Sequence, residues 1–388
     1  MNVGVLKESF PGERRVALVP ATLAALLKRG FQILVERGAG QAAGYPDPAY
    51  RAAGAEVVGD RAAVGAADVL LMVRGPSAHA ASGDADLALT HPGQALIGLL
   101  DPLGSAERIG ALAERGLTAF ALELLPRITR AQPMDALSSM ASLAGYKAVL
   151  IAASEAPRIF PMMMTAAGTL VAAKVLVLGA GVAGLQAIAT AKRLGAVVEA
   201  YDVRPEVKEQ VQSVGGKFVA LPLDTSALAD QSGYARAQSA EFLAQQQEAL
   251  ASHVRAADVI ITTAQVPGRQ APLLLTGAMM KGMRPGAVVV DLAAEQGGNC
   301  ALTRPGQTVV SDGVTILGPL NLPSTMPLHA SQLYSKNISA FLLNLIGPDS
   351  SILIRTEDEI IRETLVTRDG EVVSAKVRQA RAAVQHSA

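Results

Sequence analysis

Short apolar runs separated by polar or glycine-containing breaks recur along the first third of the chain. Residues 3–6 (VGVL), 31–36 (FQILVE), 68–73 (DVLLMV), 95–100 (ALIGLL) and 117–122 (LTAFAL) are too short for stable helices and are mostly aliphatic. That pattern predicts buried strands. Between them ATLAALLKRG reads as a helix that stops at Gly30, where a C-terminal glycine belongs. Residues 46–53 predict a short helix and 105–115 a longer one. Strands alternating with helices predict a parallel sheet covered on both faces.

The character changes over 123–138 (ELLPRITRAQPMDALS), which carries two prolines and several polar side chains. A helix then begins near Asp135 and continues through SSMASLAGYKAVLIAAS, long enough for a spine between domains. A second strand–helix series starts at Lys174: KVLVLG, a helix to Leu194, AVVEAYD, a helix over 206–214, KFVALP, DVIITTA (258–264) and GAVVVDLA (286–293). Helical periodicity returns in 319–346, and 352–388 predicts a strand pair with a frayed tail. The expected domains are 1–134 plus 320–388, discontinuous because the last helical stretch is too short to stand alone, and 135–319. Residues 159–191 hold one charge, Lys174, and are long enough to span a bilayer. Pro161, Gly168, Gly179, Gly181 and Gly184 cut that run into short pieces, as expected of a buried parallel strand, a turn and a buried helix. The Met162–Met163–Met164 run within it is read as core filler.

Length and composition narrow the classes. At about 150 residues per domain, 388 residues suggest two or three domains. The hydrophobic share of 50% is ample for packed cores, built from Ala, Val, Leu and Ile because there are six Tyr, seven Phe and no Trp. Lys plus Arg and Asp plus Glu are equal at 34 each, so the chain lacks the basic excess and stacking aromatics of a nucleic-acid binder. One cysteine, Cys300, excludes an internal disulfide framework. The five histidines are scattered, so no metal site is expected, and the N-terminus has no apolar stretch ahead of a cleavage site.

Three segments carry candidate chemistry. Gly179-Ala180-Gly181-Val182-Ala183-Gly184 is G-x-G-x-x-G directly after an apolar strand and at the start of a helix. Asp202 closes the next strand. In that context Gly179 allows the tight turn, Gly181 lets the backbone approach a pyrophosphate and Gly184 lets helix and strand pack closely. Asp202 is expected to accept from an adenosine ribose hydroxyl and to repel a 2′-phosphate, favouring NAD, although Arg204 could attract that phosphate. The second segment, 127–138, holds Arg127, Gln132, Asp135 and Ser138. Asp135 is a natural N-cap there, yet a loop with these groups could also hold a carboxamide and ribose. The third, 224–246, is a polar stretch with Gly233 and Tyr234 at its middle, either an exposed connection or a lid. The fold expected is α/β, two Rossmann-like doubly wound parallel-sheet domains with an NAD cleft between them.

RITRAQPMDALSSMASLAGY (127–146), MTAAGT (164–169), GAGVAGLQAIATAKRLGAVV (179–198), DVRPEVKEQVQSVGGKF (202–218), TTAQVPGRQAP (262–272) and DLAAEQGGNC (291–300) resemble the NAD-binding soluble component of proton-translocating NAD(P) transhydrogenase. More distantly the chain resembles alanine dehydrogenase. The first resemblance implies direct, Si/Re-specific hydride transfer between NAD(H) held here and NADP(H) on a partner component. It also implies proton movement through a transmembrane component, catalysis only with those partners, a homodimer, and a cytoplasmic, peripheral place on the inner membrane.

Carried onto this chain, the resemblance implies that Arg127, Gln132, Asp135 and Ser138 serve the nicotinamide side, with Ile128 and Thr129 beside them. Gly179, Gly181, Val182, Ala183, Gly184, Asp202, Val203 and Arg204 hold the rest, joined by Gly233, Tyr234, Gln246, Ala264 and Gln265. The chain departs from the pattern at Gln265, usually aliphatic, at Thr325, where arginine is common, and at Pro133, where serine is usual. An alanine-dehydrogenase-like reaction would need a lysine and a histidine where Arg74 and Asp101 stand. A third possibility, from a different class, is a non-catalytic NAD-binding module.

Overall fold

The computed structural model describes residues 1–223, 239–266, 268–347 and 350–385. The chain divides into two compact units, Met1–Met140 with Pro323–Ala388, and Ala141–Leu322.

The first unit is built on an eight-stranded sheet. Its order is Glu371–Val372, Leu365–Arg368, Thr118–Ala121, Ala95–Leu99, Val69–Arg74, Asn2–Val5, Gln32–Glu36, Glu56–Val58. The six strands from the first third of the chain run parallel, and the two C-terminal strands join antiparallel at one edge. The inner strands are buried along nearly their whole length, as both-faced burial of a parallel sheet requires. The strand order reverses between Asn2–Val5 and Val69–Arg74, which defines a doubly wound sheet with its switch point there. The helix Pro327–Leu345 returns to this unit, and the Tyr334 hydroxyl donates to the Met72 carbonyl at 2.7 Å.

The second unit carries a seven-stranded sheet. Its order is Lys217–Phe218, Val197–Tyr201, Lys174–Leu178, Val259–Thr262, Val288–Asp291, Val314–Leu317, Thr308–Ser311, parallel except for the last pair. The switch point lies between Lys174–Leu178 and Val259–Thr262. Apolar clusters fill both faces of this sheet, one around Val175, Val177 and Ile188, the other around Leu176, Leu250 and Ile260.

The apolar run 159–191 resolves into the hairpin strands Met163–Thr165 and Gly168–Leu170, the strand Lys174–Leu178 and the start of helix Val182–Arg193. One helix, Ala136–Glu155, is long and apolar enough by length and composition to cross a membrane. Two expectations fail. Met162, Met163 and Met164 are 63%, 44% and 76% exposed on the hairpin, so they are not core filler. A two-stranded hairpin has no second layer of its own to bury them, which the sequence pattern does not reveal. The tail beyond the strand pair is the helix Ala375–Gln385, held because Val377 is fully buried in the core cluster of the first unit.

Candidate functional site

The glycine fingerprint sits at the switch point of the second sheet, where the strand Lys174–Leu178 turns into the helix Val182–Arg193. Gly179 has φ +99°, a left-handed conformation that side chains oppose, and a Cβ there would lie 2.5 Å from Thr263 Oγ1. A Cβ on Gly184 would lie 1.9 Å from the Gly179 carbonyl oxygen, so only glycine lets the helix start this close to the strand. Gly181 differs: a Cβ there would meet nothing nearer than Arg204 Nη2 at 4.0 Å. Gly181 is also the N-cap and contributes no side-chain cap. The first N–H groups of a 12-residue helix therefore face an open side, with the positive end of its dipole behind them. Val182 is 36% exposed on that turn, and Ala183 follows it in the first turn.

Asp202 stands at the end of the neighbouring strand and is 9% exposed. Its Oδ2 accepts from the Ala180 N–H at 2.7 Å, tying the carboxylate to the fingerprint turn. Arg204 forks onto the same group, Nε to Oδ1 and Nη2 to Oδ2 at 2.9 Å each, and its own N–H donates to Oδ1 at 2.9 Å. The cation that the sequence suggested for a 2′-phosphate is thus turned onto the aspartate. Val203 between them is buried at 7%.

Across the switch point, Thr262–Gln265 is held by a network that sequence reasoning left unassigned. Asp291, fully buried, accepts from Thr262 Oγ1, Thr303 Oγ1 and the N–H groups of Ala293, Asn299 and Cys300. Asn299, also fully buried, brackets Ala264: its Oδ1 accepts from the Ala264 N–H at 3.1 Å and its Nδ2 donates to the Ala264 carbonyl at 2.8 Å. Gln265 donates to the Leu292 carbonyl at 2.8 Å. The DLAAEQGGNC motif contained both Asp291 and Asn299, and the signal available was two polar residues at the end of an apolar strand. Gln246 has no exposed surface; its amide donates to the Tyr201 hydroxyl at 2.9 Å, and its Oε1 is among the buried atoms without a partner. In this conformation it is closed off from any ligand, because it lies on the buried side of helix Ala240–Ala256. Gly233 and Tyr234 lie outside the described residues.

In the first unit, 127–135 forms a 3-10 turn over Thr129–Met134 before the helix Ala136–Glu155. Ala131 and Met134 point into the core, while Arg127, Thr129 and Gln132 are exposed and Ile128 is half-buried. Asp135 caps the helix: Oδ1 accepts from the Ser138 N–H at 2.8 Å and Oδ2 from its hydroxyl at 2.6 Å. The N-cap expectation for Asp135 is met, and Ser138 is the residue it caps.

The switch point of the first sheet has a different chemistry. The Glu8 carboxyl accepts from the N–H groups of Val73 and Arg74 at 2.7 and 3.0 Å, closing the end of that strand. Burial, reinforced by Glu13, pushes Glu8 up to about 8. The Arg74 guanidinium lies 5.0 Å from the centre of the Phe10 ring. Asp101, at φ +51°, donates its N–H to Glu123 Oε1 and accepts from the Ser105 hydroxyl, each at 2.7 Å. Burial pushes Glu123 up to about 7. Neither an ammonium nor an imidazole stands at positions 74 and 101. Among the described residues no group of three His, Cys, Asp or Glu side chains is arranged to hold a metal ion.

Two doubly wound sheets, one with a complete dinucleotide fingerprint at its switch point, define an NAD-binding oxidoreductase of Rossmann type. The chain belongs to the alanine dehydrogenase/PNT family: the N-terminal domain of that family matches residues 4–144 and the C-terminal domain residues 148–375. It is similar to an NAD(P) transhydrogenase subunit alpha protein of Rhodospirillum rubrum, 47% identical over 376 residues that cover 96% of this chain and 98% of that protein. The crystal structure of transhydrogenase from Sinorhizobium meliloti superposes with TM-score 0.84 at 46% identity, covering 96% of this chain and 100% of that one. The alanine dehydrogenase of Bacillus subtilis is more distant, 28% identical over 96% of this chain and 92% of its own length.

Proposed function

We propose that this chain is the NAD(H)-binding subunit of a proton-translocating NAD(P) transhydrogenase. The observation that carries the reading is the open backbone at Gly181 and the helix start beside the Asp202–Arg204 pair. The similarity over nearly the whole chain to proteins of that name supports it. Hydride passes directly, with Si/Re specificity, between NAD(H) held here and NADP(H) on a partner component, since the sequence contains a single G-x-G-x-x-G fingerprint. A transmembrane component couples the transfer to proton movement and holds this subunit, as a homodimer, at the cytoplasmic side of the inner membrane. The exposed Met162–Met164 hairpin provides apolar surface suited to a second copy of the chain.

The residues divide the work. The N–H groups at the start of Val182–Arg193 receive the pyrophosphate, and Asp202 accepts from the adenosine ribose once Arg204 yields one of its positions. Ala264 and Gln265, bracketed by Asn299 and the Leu292 carbonyl, line the same nucleotide. Arg127 and Gln132 orient the nicotinamide end, with the Asp135–Ser138 cap fixing the end of their loop. Bound NAD(H) supplies the hydride donor or acceptor. The protein needs no general base, because no substrate proton is removed, and its contribution is proximity and orientation.

The test is hydride transfer from NADPH to an optically distinct NAD analogue, with the purified chain alone and with membranes stripped of their own peripheral subunit. Activity that appears only on mixing is expected. Oxidation of NADH by pyruvate and ammonia with the chain alone would instead make it an amino-acid dehydrogenase. NADH binding without transfer under either condition would make it a binding module.

A further inference from the structure

The turn that presents Gln132 is fastened on both sides of that residue to helices from the far end of the chain. On one side Arg130 forks onto Asp358, Nη1 to Oδ2 at 2.9 Å and Nη2 to Oδ1 at 2.5 Å, and Nη1 also reaches Asn344 Oδ1 at 3.4 Å. Asp358 is itself fixed, because Oδ1 caps the helix Glu359–Thr364 by accepting from the Ile360 N–H at 2.9 Å. On the other side the buried Asn337, in the helix Pro327–Leu345, donates Nδ2 to the Pro133 carbonyl at 2.8 Å. Pro133 interrupts a 3-10 turn and has no N–H, so its carbonyl is the backbone group through which this point can be held. Between the two fastenings Ala131 is buried, Met134 is buried just beyond them, and Gln132 faces outward with Pro133.

A six-residue 3-10 turn is not a rigid platform by itself, since its hydrogen bonds are poorly aligned. Its shape here is imposed by side chains more than two hundred positions away in sequence. We infer that Asn337 and the Arg130–Asp358 pair are positioning residues for hydride transfer: acting through the turn, they set where the Gln132 carboxamide stands. The inference rests on the reading of the chain as a transhydrogenase subunit. Neither Arg130 nor Asn337 needs to touch the nucleotide for it to hold. A bidentate fork with one well-fixed partner restricts rotation as well as distance, whereas an exposed pair with a mobile carboxylate would do neither.

The experiment compares wild type with Arg130→Gln, Arg130→Lys, Asp358→Asn and Asn337→Leu in the reconstituted complex. Asp358→Asn keeps an oxygen for the Ile360 cap and removes only the charged fork. Two quantities are read: NADH affinity of the chain, and the single-turnover rate of hydride transfer between bound nucleotides. The expected result is a loss of roughly tenfold in transfer rate for Arg130→Gln, Asp358→Asn and Asn337→Leu, with NADH affinity held within about twofold. Arg130→Lys should recover some of the rate, and the Arg130→Gln/Asp358→Asn double variant should be no slower than either single one. Wild-type rates in all of the variants, in a complex whose wild type is active, overturn the inference and leave the functional reading intact. Parallel losses of affinity and rate also overturn it, by making these groups ordinary binding residues. A wild-type chain that transfers no hydride with its partners removes the functional reading itself, whatever the variants do. Should Asn337→Leu fold poorly, the variants at Arg130 and Asp358 carry the same decision.

Discussion

Replacing Asp291 by Asn tests how far the nucleotide-facing loop depends on one buried carboxylate. Oδ1 accepts from Thr262 Oγ1 at 2.8 Å and Ala293 N at 3.0 Å. Oδ2 accepts from Asn299 N at 2.8 Å, Cys300 N at 3.1 Å and Thr303 Oγ1 at 2.6 Å. An amide has one accepting oxygen. With that oxygen at the Oδ2 position the NH2 group faces Thr262, whose hydroxyl can turn round and accept, and Ala293, whose N–H cannot. Leaving one buried N–H unsatisfied costs about 1–3 kcal/mol. The surviving bonds become neutral, each losing on the order of 1 kcal/mol, while loss of the buried charge returns some of its desolvation cost. The net loss is about 2–4 kcal/mol, which in a unit of this size lowers the melting midpoint by about 5–15 °C. Calorimetry measures the stability, and a fluorescence titration with NADH measures the binding. Because Asn299 loses its anchor and Asn299 brackets Ala264, NADH affinity should fall as well. A stability loss below about 1 kcal/mol with unchanged NADH affinity would refute the view that this carboxylate organises the loop.

Gly184→Ala and Gly181→Ala form a contrasting pair. The first drives a Cβ to 1.9 Å from the Gly179 carbonyl and should cost about 3 kcal/mol or more. The second meets nothing nearer than 4.0 Å, so it should melt within a degree or two of wild type yet bind NADH about tenfold more weakly; equal effects of the two on stability would undo the distinction. Asp202→Ala removes the acceptor of the Ala180 N–H and frees Arg204, and NADH binding is expected to weaken severalfold; unchanged affinity would end its ribose role. The buried Glu123 has its carboxyl raised to about 7, so the folded chain holds a proton that the unfolded chain releases above about 4.5. The folded state binds more protons across that interval, and stability falls as pH rises from about 4.5 through about 7. Glu123→Gln, which keeps an acceptor for the Asp101 N–H, should flatten that slope in pH-dependent melting, and an unchanged slope would assign it to other groups.

Local pattern was enough to read both sheets of the α/β fold, because a strand buried on both faces must be an unbroken aliphatic run and each one here is. It was also enough to place the fingerprint, since the strand, the turn and the helix start are neighbours in sequence. The groups that sequence alone left unassigned depend on residues far apart. Asp291 and Asn299 matter only because parallel pairing sets Val288–Asp291 beside Val259–Thr262, bringing Thr262 under the carboxylate. Arg204 reads as a free cation in sequence and becomes the partner of Asp202 once the strand end turns. Gln246, polar on a helix, turns out to be buried against Tyr201. The methionine run is apolar, and apolarity does not say whether a second layer exists to cover it; in this hairpin none does within the chain's described residues. Secondary structure and a contiguous motif follow from periodicity over a few residues. Which polar side chain is satisfied by which backbone group follows from the packing of segments up to two hundred residues apart, and only the folded chain decides it.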